Sequence, residues 1–154
     1  MKRDEAVHNA VGDRRGNAMI RSSSLHPHYQ TAFTNGSHDG VADVPVEKGG
    51  AGKGFGPHEL LEAALATCLT MTVTMYASKH GLPLTAARCE VRIDRSVPDA
   101  VTLNYSLAFD GPLSDEQSAR VREAAGRCPV ARTLTGVLAI QPVPIAACRP
   151  EEAR

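Results

Sequence analysis

Hydrophobic positions along this chain change period several times, and each change marks the edge of a predicted element. Residues 18–46 carry short, weakly alternating runs around Asn35-Gly36, a tight-turn dipeptide, and predict a hairpin of modest strands. Beyond it the spacing becomes helical: Leu61, Leu65, Cys68, Thr72 and Met75 or Tyr76 recur at intervals of three or four. Pro57 suits a first helical turn and Glu59 complements the dipole there, so the helix is predicted from 57 to about 79, ended by Gly81 and Pro83. Cys68 falls mid-helix on the apolar face.

Alternation returns over residues 89–95 and 101–109, separated by Pro98-Asp99, and predicts two half-buried antiparallel strands. Leu113, Ser114 and Gln117 then supply a hydrophobic residue, an N-cap and its capping-box partner, opening a helix whose apolar side includes Val121, Ala124 and Ala125. That helix stops near Cys128-Pro129. A short helix over about 130–135 follows, with Cys128 at its N-cap, and residues 137–143 are expected to finish as a strand. The order of strands, long helix, strands, helix and strand is an α+β layout with sheets packed against helices.

A length of 154 residues fits one domain, taken as 18–146, with residues 1–17 expected to be a disordered extension and 147–154 a tail. Seventeen basic side chains balance seventeen acidic ones, which argues against a nucleic acid or anionic membrane partner. The opening residues mix both charges and lack the apolar core of a signal peptide, so the expected location is the cytoplasm. The apolar stretch 60–77 carries Glu62, Thr67, Thr70, Thr72 and Thr74, too polar for a lipid-facing span, and reads as a buried helix. The glycine-rich run 49–57 contains Lys53, but Gly-Phe-Gly-Pro follows it where a phosphate-binding loop needs Ser or Thr. It reads as a flexible lead-in to the helix.

Four cysteines, at 68, 89, 128 and 148, stand twenty or more residues apart, without the close pairs of a zinc site, and His26 with His28 lacks a third ligand. No metal and no cofactor is expected. In a reducing cytoplasm the thiols should rest free, so a disulfide between two of them would be catalytic or regulatory. Cys68 by its surroundings alone is a small core residue whose pKa burial would raise. Cys128 differs: Arg127-Cys128-Pro129-Val130 joins a cation, a helix start and a chain reversal, all of which favour a thiolate. Cys89 in a strand and Cys148 in the tail read as packing and surface residues.

Two ordered motifs carry a resemblance. Gly36-Ser37-His38, Ala42-Asp43-Val44-Pro45, Gly49-Gly50 and Gly56-Pro57-His58-Glu59-Leu60-Leu61-Glu62-Ala63-Ala64-Leu65-Ala66-Thr67-Cys68 resemble the first half of an OsmC/Ohr-family domain. Asp110-Gly111-Pro112-Leu113-Ser114 and Arg127-Cys128-Pro129-Val130-Ala131-Arg132-Thr133-Leu134 resemble its second half. The match spans about residues 18–143. It implies an OsmC-like fold in an intertwined homodimer, with antiparallel sheets wrapped around central helices and the site near the dimer interface.

The resemblance also implies a thiol peroxidase acting on organic hydroperoxides in oxidative stress defence. Cys68 would attack the O–O bond and become a sulfenic acid, Cys128 would close a disulfide, and a dithiol reductant would reopen it. The peroxide-reducing branch places a glutamate ten residues before the first cysteine and an arginine on an N-terminal strand. Here His58 holds the first place and Leu25-His26-Pro27-His28 the second. Glu59 is then the candidate carboxylate, with Arg21 and Arg132 as candidate cations. Leu61, Leu65 and Met75 are expected to line the approach to Cys68 and to favour bulky alkyl peroxides over hydrogen peroxide. The alternative readings are an OsmC-like protein that binds a small apolar or thiol ligand without peroxidase activity, and a structural dimer with incidental cysteines.

Overall fold

The computed structural model describes residues 19–26 and 29–142. The expectations for 1–17 and 147–154, and those that rest on His28 and Cys148, lie outside the described residues. The predicted hairpin is present, and a third strand joins it. β1 (Arg21–Ser24), β2 (Thr31–Thr34) and β3 (Asp39–Ala42) form one antiparallel sheet in that order. Its β2–β3 turn is built by Asn35, whose Oδ1 accepts the N–H groups of Ser37 (2.9 Å) and His38 (2.8 Å). Gly36 takes the left-handed conformation that the turn requires, at φ 89°.

After β3 the chain is organised by one buried carboxylate. Asp43 is 2% exposed and accepts hydrogen bonds from the backbone N–H groups of Val44 (2.8 Å), Lys53 (3.1 Å) and Ala51 (3.2 Å) and from Gln30 Nε2 (3.3 Å). The Lys53 N–H is the largest influence that holds its pKa below the ordinary carboxylate value, and this outweighs the opposing effect of burial. The glycine-rich run 49–56 is therefore pinned around Asp43. It reads as flexible in sequence because its partner lies on a different element.

α1 (Pro57–Lys79) begins where Gly56 N–H donates to Glu59 Oε2 at 2.7 Å, with Pro57 in the first turn. The residues it buries are Leu65, Leu69, Val73 and Ala77, spaced four apart. This corrects the expected face: Leu61 is 36% exposed and Met75 72% exposed. The helix is apolar or small on nearly every side, so its packing partners, not its periodicity, choose the face that is buried. By length and a mean hydropathy of 1.4, α1 could cross a membrane, and only 22% of its most apolar window is buried in the single chain. The expectation of a buried helix thus holds for one face.

That face lies against β4 (Ala86–Asp94) and β5 (Thr102–Asp110), an antiparallel hairpin in register from Ala86↔Asp110 to Asp94↔Thr102. Glu62 ties helix to strand, its Oε1 accepting the Ile93 N–H at 2.6 Å. α2 (Asp115–Ala124) opens on the expected capping box, in which Ser114 Oγ accepts from Gln117 N–H and Gln117 Oε1 from Ser114 N–H. A 3-10 turn, Ala125–Arg127, leads to α3 (Pro129–Thr135). α2, the turn and α3 all pack on α1, and the core gathers Leu65, Leu69, Val73, Leu107, Val121 and Cys128.

The strand expected at the end is not formed over the described residues 137–142. Val137 is 104% exposed and Ile140 98% exposed. An apolar run becomes a strand only by pairing with a neighbour, and among the described residues no strand pairs with it.

Candidate functional site

The short last helix delivers one thiol to another. Cys128 has extended ψ (119°) at the N-cap of α3, Pro129 fixes the first turn, and the Cys128 Sγ accepts the Ala131 N–H at 3.5 Å. Its own N–H donates to the Ala125 carbonyl at 3.0 Å, closing the turn behind it. Cys128 is 0% exposed. Across from it, α1 presents Cys68, half-buried and packed against the same core.

The two thiols act on each other, and their surroundings push them in opposite directions. Burial raises the Cys68 pKa, but the Val130 N–H, the Cys128 thiol and the Thr72 side chain together bring it below the ordinary thiol value. The Thr72 hydroxyl also lies 2.7 Å from the Cys68 carbonyl oxygen, and its single proton serves one acceptor at a time. The shorter contact assigns it to the carbonyl at rest. For Cys128, burial raises the pKa, and the hydrogen bond and charge of Cys68 add to this against the Ala131 and Val130 N–H groups, so the net shift is upward. The arrangement favours a thiolate on Cys68 and a thiol on Cys128 that donates to it.

No cation is among the groups that shift Cys68 within the described residues. Arg127, the expected neighbour of Cys128, places its guanidinium 5.4 Å from the centre of the Tyr76 ring, which stacks in turn on His80. Arg21 and Arg132 are exposed on β1 and α3. Glu59 is not beside the thiols: its carboxylate caps α1, and Cys68 lies nine positions further along that helix, about 13.5 Å along the axis. There it borders an open hollow of about 700 Å³ with Phe33, Val41, Lys53, Phe55 and Leu60. Cys68 and Cys128 are thus brought together, whereas Glu59 stands apart.

One feature escaped the sequence reading. The Val130 N–H, the hydrogen bond that most lowers the Cys68 pKa, is a backbone group with no residue-type signature, and only the N-cap position of Cys128 hinted at it. Cys89, on the inward side of β4 opposite Leu107, joins the core that holds the other two cysteines. Burial raises its pKa, reinforced by the charges of Cys128 and Glu90, which keeps it a thiol. Among the described residues no three His, Cys, Asp or Glu side chains are placed to hold a metal ion.

The long helix of a small α+β domain thus sets one cysteine against the core that holds the capping cysteine of a short helix. The family model described as OsmC-like protein matches residues 50–142, and the chain belongs to that family. No curated protein matches it. Among solved structures it is similar to an OsmC-like protein from Mycoplasma pneumoniae (21% identity, TM-score 0.67, covering 80% of this chain and 90% of that one). It is similar also to an organic hydroperoxide resistance protein OsmC from Legionella pneumophila (20% identity, TM-score 0.57, 80% and 93%). A third is the organic hydroperoxide resistance protein OhrB of Bacillus subtilis (18% identity, TM-score 0.56, 78% and 91%). At these identities the structures establish a shared fold.

Proposed function

We propose that the protein is a cytoplasmic thiol peroxidase that reduces organic hydroperoxides to alcohols, with Cys68 as the attacking thiol and Cys128 as the resolving one. The observation that carries this is the placement of Cys68 on α1 against the core that holds Cys128, the N-cap of α3, with the two thiols shifted in opposite directions. The Cys68 thiolate attacks one peroxide oxygen, the O–O bond breaks, and the alcohol leaves with a proton while Cys68 becomes a sulfenic acid. The Cys128 thiol then displaces water to form the disulfide, and a dithiol reductant restores both thiols. Organic hydroperoxide resistance in the names of the Legionella and Bacillus proteins supports the substrate class.

Leu65, Leu69, Val130 and Leu134 belong to or pack against the core that Cys68 joins. An alkyl group gains there by leaving water: two buried methylenes contribute roughly 1.6 kcal/mol, or about tenfold in rate. Cumene hydroperoxide should therefore oxidise the reduced protein at least tenfold faster than hydrogen peroxide, with loss of two free thiols per subunit. Stopped-flow oxidation followed by thiol titration checks this, and no thiol loss with cumene hydroperoxide would end the proposal in favour of a ligand-binding or structural role.

The working unit is a homodimer in this reading. Met71 (63% exposed) and Met75 on α1, together with Val137 and Ile140, stand as large apolar side chains in water. A second copy would cover them. Light scattering at micromolar concentration is expected to give twice the chain mass of 16.3 kDa, and a monomer would refute the pairing.

A further inference from the structure

The two sulfurs of the pair differ in access as sharply as in acidity. Cys128 is 0% exposed, enclosed by α1 and the turn that precedes α3, while Cys68 keeps part of its surface in solvent. Closing a disulfide draws the Cys128 sulfur toward Cys68, not outward. Pairing of copies can add cover to a site but cannot uncover a side chain that one chain already encloses. A nucleophile must reach a disulfide sulfur along the S–S axis, so the sulfur that is attacked is set by access as well as by leaving-group acidity.

We propose that the reductant attacks the disulfide at the Cys68 sulfur and that Cys128 is the leaving group. The proposal rests on the Cys68–Cys128 disulfide of the reaction above. A reductant thiolate bonds to Cys68 Sγ, the Cys68–Cys128 bond breaks, and Cys128 departs with the electron pair. The reductant's second thiol then attacks its own bridging sulfur, releasing the Cys68 thiolate and leaving as an internal disulfide. Two electrons pass from the dithiol to the two cysteines, and Cys128 regains its proton from water.

Leaving-group acidity alone points the other way, since Cys68 is the more acidic thiol at rest. Access wins, because a better leaving group scales a rate whereas a closed approach removes the path. The leaving sulfur is also better served than its resting state suggests. While Cys68 is held in the mixed disulfide it carries no charge, so its contribution to raising the Cys128 pKa is gone, and the Ala131 and Val130 N–H groups remain to receive the Cys128 thiolate.

The test uses the full-length wild-type protein and 2-mercaptoethanol, a monothiol that cannot complete the second step within its own molecule. The disulfide is made with diamide, so that peroxide chemistry is not needed. It is then exposed briefly to 2-mercaptoethanol, quenched in acid, capped and digested with trypsin. Cys68 lies in peptide 54–79 and Cys128 in peptide 128–132. The mixed disulfide is expected on 54–79 in at least tenfold excess. Adduct mainly on 128–132, or shared equally, would overturn the proposal. Because diamide supplies the disulfide, an adduct on 54–79 supports this direction even in a protein that cumene hydroperoxide fails to oxidise, a failure that would strike only the proposed activity.

Discussion

Cys68→Ser is expected to lower organic hydroperoxide turnover by a factor on the order of 1000 or more while leaving the fold in place. The loss is chemical: a serine hydroxyl is not ionised at neutral pH and has no sulfur to accept the peroxide oxygen. The fold should tolerate the change, because residue 68 is half-buried and a hydroxyl can still accept from the Val130 N–H and the Cys128 thiol. Turnover and a thermal midpoint measured on the same preparation separate the two effects. Substantial remaining turnover would remove Cys68 from the reaction, and a collapsed midpoint would make its role structural.

The same site fixes a pH dependence. An ordinary cysteine loses its proton near about pH 8.5. Cys68 is held below its ordinary value, so its thiolate accumulates at lower pH, and the oxidation rate should rise with pH and level off short of the ordinary thiol range. In Thr72→Val the plateau should move to higher pH if the hydroxyl turns toward the thiolate as charge forms there. An unmoved profile would confine Thr72 to its bond with the Cys68 carbonyl.

What the sequence disclosed depends on how local the signal is. The capping box of α2, the Asn35-Gly36 turn and the alternation of β4 and β5 are written within a few residues and appear as expected. The buried face of α1 was misjudged because leucine, valine, alanine, threonine and methionine surround that helix, and only its partners β4, α2 and α3 choose among them. Residues 137–142 were expected as part of a strand, yet no described strand pairs with them.

At the site, residue type misled where a stronger local partner was available. Arg127 adjoins Cys128 in sequence but lies over Tyr76, and the Glu59 carboxylate caps its own helix at 2.7 Å. Neither reaches the thiols. Glu59 and the candidate cations Arg21 and Arg132 are not among the groups that shift Cys68, and the hydrogen bond from the Val130 N–H in α3's first turn is the largest influence that lowers it. Such bonds come from backbone geometry, to which a residue pattern is blind.

Cys128→Ser should separate the two halves of the cycle. Serine is among the best N-cap residues, so the variant keeps the Ala131 N–H bond and α3 with it, even though residue 128 is fully buried. Its hydroxyl can still donate to Cys68, so the first oxidation should run at a rate within a few-fold of wild type. Resolution cannot follow, because no thiol stands at position 128 to displace water from the sulfenic acid. With a dithiol present, the variant should show one rapid equivalent of peroxide consumed and then a steady rate at least about tenfold below wild type, since attack on the sulfenic acid must come from solution. With excess peroxide and no reductant, wild type should lose about 2 Da as the disulfide forms, whereas the variant should gain oxygens, about 16 Da each, at Cys68, told apart from Met71 and Met75 by fragment spectra of peptide 54–79. Intact-mass and peptide spectra read both outcomes. The third thiol makes the experiment sharper: Cys89 shares the core, and its raised pKa argues that it stays protonated and does not take over. A variant that lost 2 Da through a Cys68–Cys89 bond would show that resolution does not depend on Cys128, and the two-cysteine mechanism would fall.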